Sequence, residues 1–187
     1  HIICYVKEQG LFCFDDRKQE FVSLKNDLPD DIRNFVIDSK DRIFFLTGHG
    51  QLLHYQLTVR NSCPELSFKE EIRHCAPVSN IYLSQDCLII NDDRTLTVSQ
   101  DNRILDSINI PKNKTVSQAI CHGEYLLISF IEGGCIRYNL ENGTSTELLQ
   151  LPEKASIFTI YIGSQNILWV GTDGQGILEV YEHSSPF

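Results

Sequence analysis

Apolar residues in this chain come in short runs, and each run is closed by a polar or glycine-bearing turn. In residues 32–72, Phe35-Val36-Ile37 ends at Asp38-Ser39-Lys40-Asp41, and Ile43 to Thr47 ends at Gly48-His49-Gly50. Leu52 to Val59 follows, and Leu66 to Ile72 completes the set. The runs are rich in β-branched and aromatic residues and are bounded by turn formers, which predicts strands. None reaches the roughly 11 residues of an average helix. Residues 156–187 repeat the order: Phe158 to Ile162, the turn Gly163-Ser164-Gln165-Asn166, Ile167 to Thr172, a glycine turn, then Ile177 to Tyr181. In residues 115–151 the closing turn is Glu141-Asn142-Gly143-Thr144, where Asn-Gly tolerates the positive φ of a tight hairpin.

These groups of runs recur at a fixed interval. Gly10, Gly50, Gly134 and Gly176 each precede an apolar run. The first two stand 40 residues apart and the last two 42, and the 84 residues between Gly50 and Gly134 make two intervals of 42. The missing copy falls near position 92, where Asn91-Asp92-Asp93-Arg94 supplies a polar turn without glycine. Leu28-Pro29, Ala76-Pro77, Ile110-Pro111 and Leu151-Pro152 form a second marker, each just before a new apolar run. Four antiparallel strands in about 40 residues predict a β-propeller blade. The expected fold is therefore all-β, a partial β-propeller of about four to five four-stranded blades from a seven-bladed ring. The blades are expected at about 1–27 (partial), 28–76, 77–110, 111–151 and 152–187, as parts of one fragment spanning 1–187. Their inner strands should lie near 35–37, 78–83, 116–121 and 157–162.

The N-terminal run Ile2–Val6 is already strand-like and lacks the charged segment of a signal peptide. The first group has only three runs, so the chain reads as a fragment whose terminal blades expose apolar surface. No run of 18 apolar residues marks a membrane-spanning helix. A formal net charge of −9 argues against a nucleic-acid partner, which would call for a basic face.

The seven cysteines, 4, 13, 63, 75, 87, 121 and 135, contain no Cys-x-x-Cys pair. Most are expected in the core, where a free thiol behaves as a small hydrophobe. Cys4 and Cys13 flank one hairpin, and a disulfide between them is open if the compartment is oxidising.

Candidate chemistry is sparse. Gly171, Gly174 and Gly176 mimic a phosphate loop, but they lead into a strand rather than a helix N-terminus, so they read as turn glycines. His49, His54, His74, His122 and His183 form no ligand spacing, and no nucleophile elbow is present. No metal, cofactor or catalytic residue is expected. His54 reads as a structural histidine on a strand. Trp169 reads as an anchor packed between blades, with sugar stacking as the alternative. Asn113-Lys114-Thr115 and Asn142-Gly143-Thr144 fit the glycosylation pattern and sit where turns are expected, a pattern without meaning if the source is bacterial.

In a propeller, the loop from an outer strand to the next inner strand opens on the same face as the turn between the second and third strands. These loops are Lys25–Asp31, Arg73–Pro77, Pro111–Thr115 and Leu151–Ala155. They carry Arg73, His74, Lys112, Lys114 and Lys154, set among Asp27, Asp30, Asp31 and Glu153. Loops on a rigid scaffold are where recognition usually resides. The five basic residues are thus the candidate ligand-binding set, weighed against a merely solvated loop face.

Leu-Pro, about a dozen residues, then Leu168-Trp169-Val170-Gly171-Thr172-Asp173-Gly174-Gln175-Gly176-Ile177 resembles the two-component regulator propeller repeat. The fit is close in 151–181, fair in 28–55 and 110–139, and poor in 77–98. The resemblance implies a non-catalytic, periplasmic sensor region of a Bacteroides-type hybrid sensor histidine kinase and response regulator in the inner membrane. It implies an oligosaccharide ligand and control of glycan-use genes. Partners would be other blades or a second copy of the sensor, with membrane contact only through other parts of the parent chain. The alternative is a structural propeller for protein interaction. A propeller lyase or glycosidase is a third reading, but it needs converging carboxylates or metal ligands that the sequence does not assemble.

Overall fold

Every apolar run becomes a strand, and every strand pairs antiparallel with its neighbour in sequence. A computed structural model describes residues 2–7, 9–24, 28–60, 63–151, 155–163 and 166–181. Among them no α-helix occurs. The chain divides into two compact units, His1–Ile81 and Tyr82–Phe187.

The first unit holds two sheets. One is β1 (Ile3–Val6), β2 (Gly10–Asp15) and β3 (Glu20–Leu24), in that order. The other is β4 (Ile32–Ile37), β5 (Arg42–Thr47), β6 (Leu52–Arg60) and β7 (Cys63–Ile72). Leu11, Cys13 and Leu24 of the first sheet meet Ile43, Phe45, Tyr55 and Leu57 of the second in one core. Phe45 and Tyr55 pack edge to face at 5.3 Å, a favoured geometry for aromatic rings.

The second unit holds three sheets, and the division between the units falls inside β8. They are β8 (Asn80–Ser84), β9 (Cys87–Asn91), β10 (Thr95–Gln100) and β11 (Arg103–Asn109); β12 (Val116–His122), β13 (Tyr125–Phe130), β14 (Gly134–Asn139) and β15 (Ser145–Gln150); and β16 (Ile157–Ile162), β17 (Leu168–Thr172) and β18 (Ile177–Val180). The sheet β12–β15 is buried on both faces. Leu126, Ile128 and Phe130 of β13 enter the core shared with β8–β11, and Leu127 enters the core shared with β16–β18. That is why Leu126-Leu127-Ile128 is continuously apolar and not alternating.

Gly50 and Gly176 are turn residues, with φ of 78° and 76°, a region that L side chains rarely adopt. In the copy expected at Gly134 the turn residue is its neighbour Gly133, with φ 86°, and Gly134 itself opens β14. The third copy solves the same problem without glycine. Asp93 takes φ 68°, while Asn91 Oδ1 accepts from the Asp93 amide and Asp92 Oδ1 accepts from the amides of Arg94 and Thr95. Asn and Asp tolerate this conformation because their short side chains bond locally.

The first strands of three sheets share an irregularity. Register shifts fall between Ile32 and Asn34, Val116 and Gln118, and Ile157 and Thr159. In the first two, the polar residue after the shift reaches the first strand of the following sheet. Asn34 Nδ2 donates to Asn80 Oδ1 at 2.9 Å and to the Ile81 carbonyl at 3.2 Å. Gln118 Oε1 accepts from Thr159 Oγ1 at 2.9 Å and from the Ile160 amide at 2.7 Å. Bulges of this kind re-aim a side chain.

Two expectations need correction. Ile3, not Cys4, pairs with Cys13, so strand alternation puts Cys4 and Cys13 on opposite faces. Cys4 is exposed, Cys13 is buried, and both thiols are free. The second concerns Trp169. Leu168 and Val170 point into the core, which turns Trp169 to the opposite face, where it is half-buried in register with Tyr161 and Glu179. Tyr161 and Ile177 on that face are 66% and 72% exposed, and Phe158 nearby is 58% exposed.

Candidate functional site

Lys112 and Lys114 of the expected set sit on a hydrogen-bonded loop, where the Lys114 amide donates to the Pro111 carbonyl at 2.9 Å. The loop before a sheet's first strand bonds the turn between its second and third strands in three sheets. Gly48 donates to the Asp31 carbonyl at 2.7 Å, Ile131 to Thr115 at 2.9 Å, and Asp173 to Ser156 at 2.9 Å. In the second unit this places Lys114 beside the β13–β14 turn. Its ammonium lies 5.7 Å from the centre of the Phe130 ring. Glu132 Oε2 accepts from the Thr115 amide at 2.8 Å. Burial raises the Glu132 carboxyl, but hydrogen bonds from Thr115 and its own amide, with the Lys114 charge, outweigh that and hold it below its ordinary value. Lys112 is exposed on the same loop. Arg73 and His74 follow β7 in the first unit. Lys154 lies outside the described residues, as do Asp27, Glu153 and His183.

His54 is structural. Its ring stacks on Phe44 with centroids 5.0 Å apart, and Nδ1 lies 3.5 Å from Glu70 Oε1. Among the described residues no three of His, Cys, Asp and Glu converge as metal ligands. Burial raises the thiols of Cys13, Cys87, Cys121 and Cys135, the last to about 12. These four behave as neutral core residues, because the nucleophile is the thiolate.

A cleft of about 390 Å³ opens at the other end of the strands from Lys114. It lies where the sheets β12–β15 and β16–β18 part, beside the β12–β13 hairpin. Leu127 and Leu148 wall it on one side, and Ile162, Leu168 and Val180 on the other. Its rim carries His122, Glu124, Tyr125, Arg137 and Asn166. The Arg137 guanidinium lies 4.8 Å from the centre of the Tyr125 ring. The neighbouring Glu124 carboxylate pushes the Tyr125 phenol above its ordinary pKa. Asn166 sits in a left-handed turn with φ 59°. Sequence reasoning missed this site because its five aliphatic walls read as ordinary core. The available signal was Arg137, a charge inside the run Cys135-Ile136-Arg137-Tyr138, paired with a strand that contains Leu148-Leu149.

Comparison with known proteins bears on what kind of scaffold this is. Residues 150–174 match the family model described as two component regulator propeller. That stretch contains β16 and β17. A chain in the crystal structure of BBS1N in complex with ARL6DN, soaked with lead, superimposes with a TM-score of 0.53 at 15% identity. The match covers 78% of this chain and 45% of that one, so this chain spans less than half of its length. At that identity the likeness concerns the fold alone, which is that of a partial β-propeller. No curated protein matches the chain.

Proposed function

We propose that this chain is part of the non-catalytic, extracytoplasmic sensor domain of a hybrid two-component protein. That protein would detect oligosaccharides and regulate genes of glycan use. The match of residues 150–174 to the two-component regulator propeller carries the reading. The parent would be a sensor histidine kinase in the inner membrane, with this region in the periplasm. The loops bearing Lys112 and Lys114 are the proposed contact surface in the second unit. Arg73 and His74 in the first unit, and Lys154, belong to the same set of loops. A ligand there acts only if it binds one signalling arrangement better than the other.

The test is calorimetric titration of the parent's complete sensor region with a panel of oligosaccharides. At least one glycan is expected to bind, and Lys114→Ala to weaken it while melting is unchanged. Failure across the panel, in a gene with no kinase region, would remove the reading.

The open face of β16–β18, with Tyr161 and Ile177 largely exposed, favours a second reading: a propeller that binds another protein or a second copy of itself. Light scattering that shows association, lost on Ile177→Lys, would support it.

A further inference from the structure

We propose that Cys87 and Cys121 form a disulfide between the sheets β8–β11 and β12–β15 when the chain folds in the presence of a disulfide oxidant. The pair lies within the second unit, and the glycan reading concerns other residues.

The fold sorts the cysteines. Cys13 lies in the core of the first unit, and Cys135 in the core shared with β16–β18. Cys4 and Cys75 are exposed. Among the cysteine side chains described, Cys87 and Cys121 are the two that share one core. They are 7% and 2% exposed, although they stand 34 residues apart in the chain.

The backbone brings them together. Cys87 opens β9, directly after the turn residues Gln85 and Asp86, which both have positive φ. Cys121 stands one residue before the end of β12. The β8–β9 hairpin is hydrogen-bonded to that end of β12. Ser84 Oγ donates to the Cys121 carbonyl at 2.9 Å, and the Gly123 amide donates to Gln85 Oε1 at 3.1 Å. These bonds hold the two sheets together beside the thiols, which are hydrogen-bonded to each other. Two sulfurs in hydrogen-bond contact have little further to travel to the bonded separation of about 2.05 Å.

Burial dictates when the bond is made. It raises both thiols above their ordinary pKa, and the hydrogen bond from Cys121 offsets this in part at Cys87. The attacking species in exchange is a thiolate. The folded pair is therefore slow to react, and the bond forms while the core is still open. One cysteine thiolate attacks a small disulfide, oxidised glutathione, forming a mixed disulfide and releasing one glutathione. The second thiolate attacks the protein sulfur of that mixed disulfide, closing the Cys87–Cys121 bond and releasing the other glutathione. Two protein thiols are oxidised, one glutathione disulfide is reduced, and the two thiol protons pass to the two glutathiones. The state of the pair thus records the redox conditions under which the chain folded.

The test refolds the reduced 187-residue chain from urea in two buffers, one with reduced glutathione alone and one that also holds oxidised glutathione. Remaining thiols are alkylated in denaturant, and linked peptides are mapped by mass spectrometry. Cys87–Cys121 is expected as the dominant internal linkage, with Cys13 and Cys135 alkylated. The bond closes a loop of about 35 residues, so the oxidised form should melt about 5–10 °C above the reduced one. Oxidised glutathione added to the chain already folded in reduced form should give the linkage at least about tenfold more slowly. Cys121→Ala should abolish the gap in melting between the two buffers. If that variant folds poorly, the peptide map and the gap on the unaltered chain decide. Absence of the Cys87–Cys121 linkage, its appearance only as one of many mispaired products, or an oxidised form that melts no higher would overturn the proposal. So would equal rates of oxidation for the folded and the refolding chain.

Discussion

The sheets β12–β15 and β16–β18 are neighbours with similar strands and opposite fates. In β13 both faces are buried: Leu126 and Ile128 look one way and Leu127 the other, each into a core. In β17 one face is buried, through Leu168 and Val170, and the other carries the half-buried Trp169. Yet the β16–β18 segment holds the sharper motif, the one a family model matches. Motif strength records the demands of turn and strand geometry. Burial depends on what lies against each face, and the two need not coincide.

The largest expected effect breaks this contrast most directly. Ile128 is 2% exposed and Ile177 is 72% exposed, at equal side-chain size. Ile128→Ala should cost about 2–5 kcal/mol, the lost transfer energy plus the cavity left behind. Ile177→Ala should stay within about 0.5 kcal/mol, as exposed substitutions do. Urea unfolding of both variants measures the gap. Equal losses would mean that the outer face of β16–β18 is covered in solution.

The paired turns sharpen the same contrast. Gly133 and Gly176 occupy equivalent turns with nearly equal φ. A left-handed alanine costs about 1–3 kcal/mol at either position. At Gly176 an added Cβ meets nothing within 4 Å, so that is the whole cost. At Gly133 it would stand 2.5 Å from the Ala155 carbonyl oxygen, a backbone atom that must move. Gly133→Ala should therefore melt clearly below Gly176→Ala. Matching melting temperatures would show that the Ala155 segment yields freely.

Much of this architecture was legible in the sequence. The first strands β4, β8, β12 and β16 start where the Leu-Pro or Ala-Pro marker and the following apolar run place them. This works because hairpin turns are local, and Gly, Asn and Asp announce positive φ wherever they fall. Asp93 standing in for a glycine shows why the third copy was faint: the backbone is kept and the residue is not. Facing was less legible. One bulge between Ile157 and Thr159 shifts the register, so alternation counted across it misleads. The single-residue offset of Cys4 against Cys13 is the same kind of error, since a slip of one residue reverses every face. The cleft was illegible because Leu127 and Leu148 look like any core leucine until two sheets are seen to part around them.

Trp169→Ala is the next test in size. A fully buried tryptophan costs about 3–5 kcal/mol to remove. Trp169 is half-buried on the open face, its indole against Gly163, so about 1 kcal/mol is expected from the area it covers. A loss near the upper figure, by urea unfolding, would place this face against something that shields it.

The smallest effect concerns Glu132 and compares the loop end of β12–β15 with the rest of the sheet. Its carboxyl is held below the ordinary value near 4.5, because the Thr115 amide and the Lys114 charge outweigh burial. A folded-state value below the unfolded one adds stability above the unfolded pKa, and that stability is lost as pH falls through the folded pKa. The wild type should therefore exceed Glu132→Gln in melting temperature at pH 7, and the difference should vanish well below pH 4.5. Glu132 is exposed, so screening holds the gain to at most about 0.5 kcal/mol, and moderate salt should shrink it further. A difference that persists unchanged at low pH would show that Glu132 acts there through packing, because a protonated carboxyl has no charge with which to hold the Thr115 amide or Lys114.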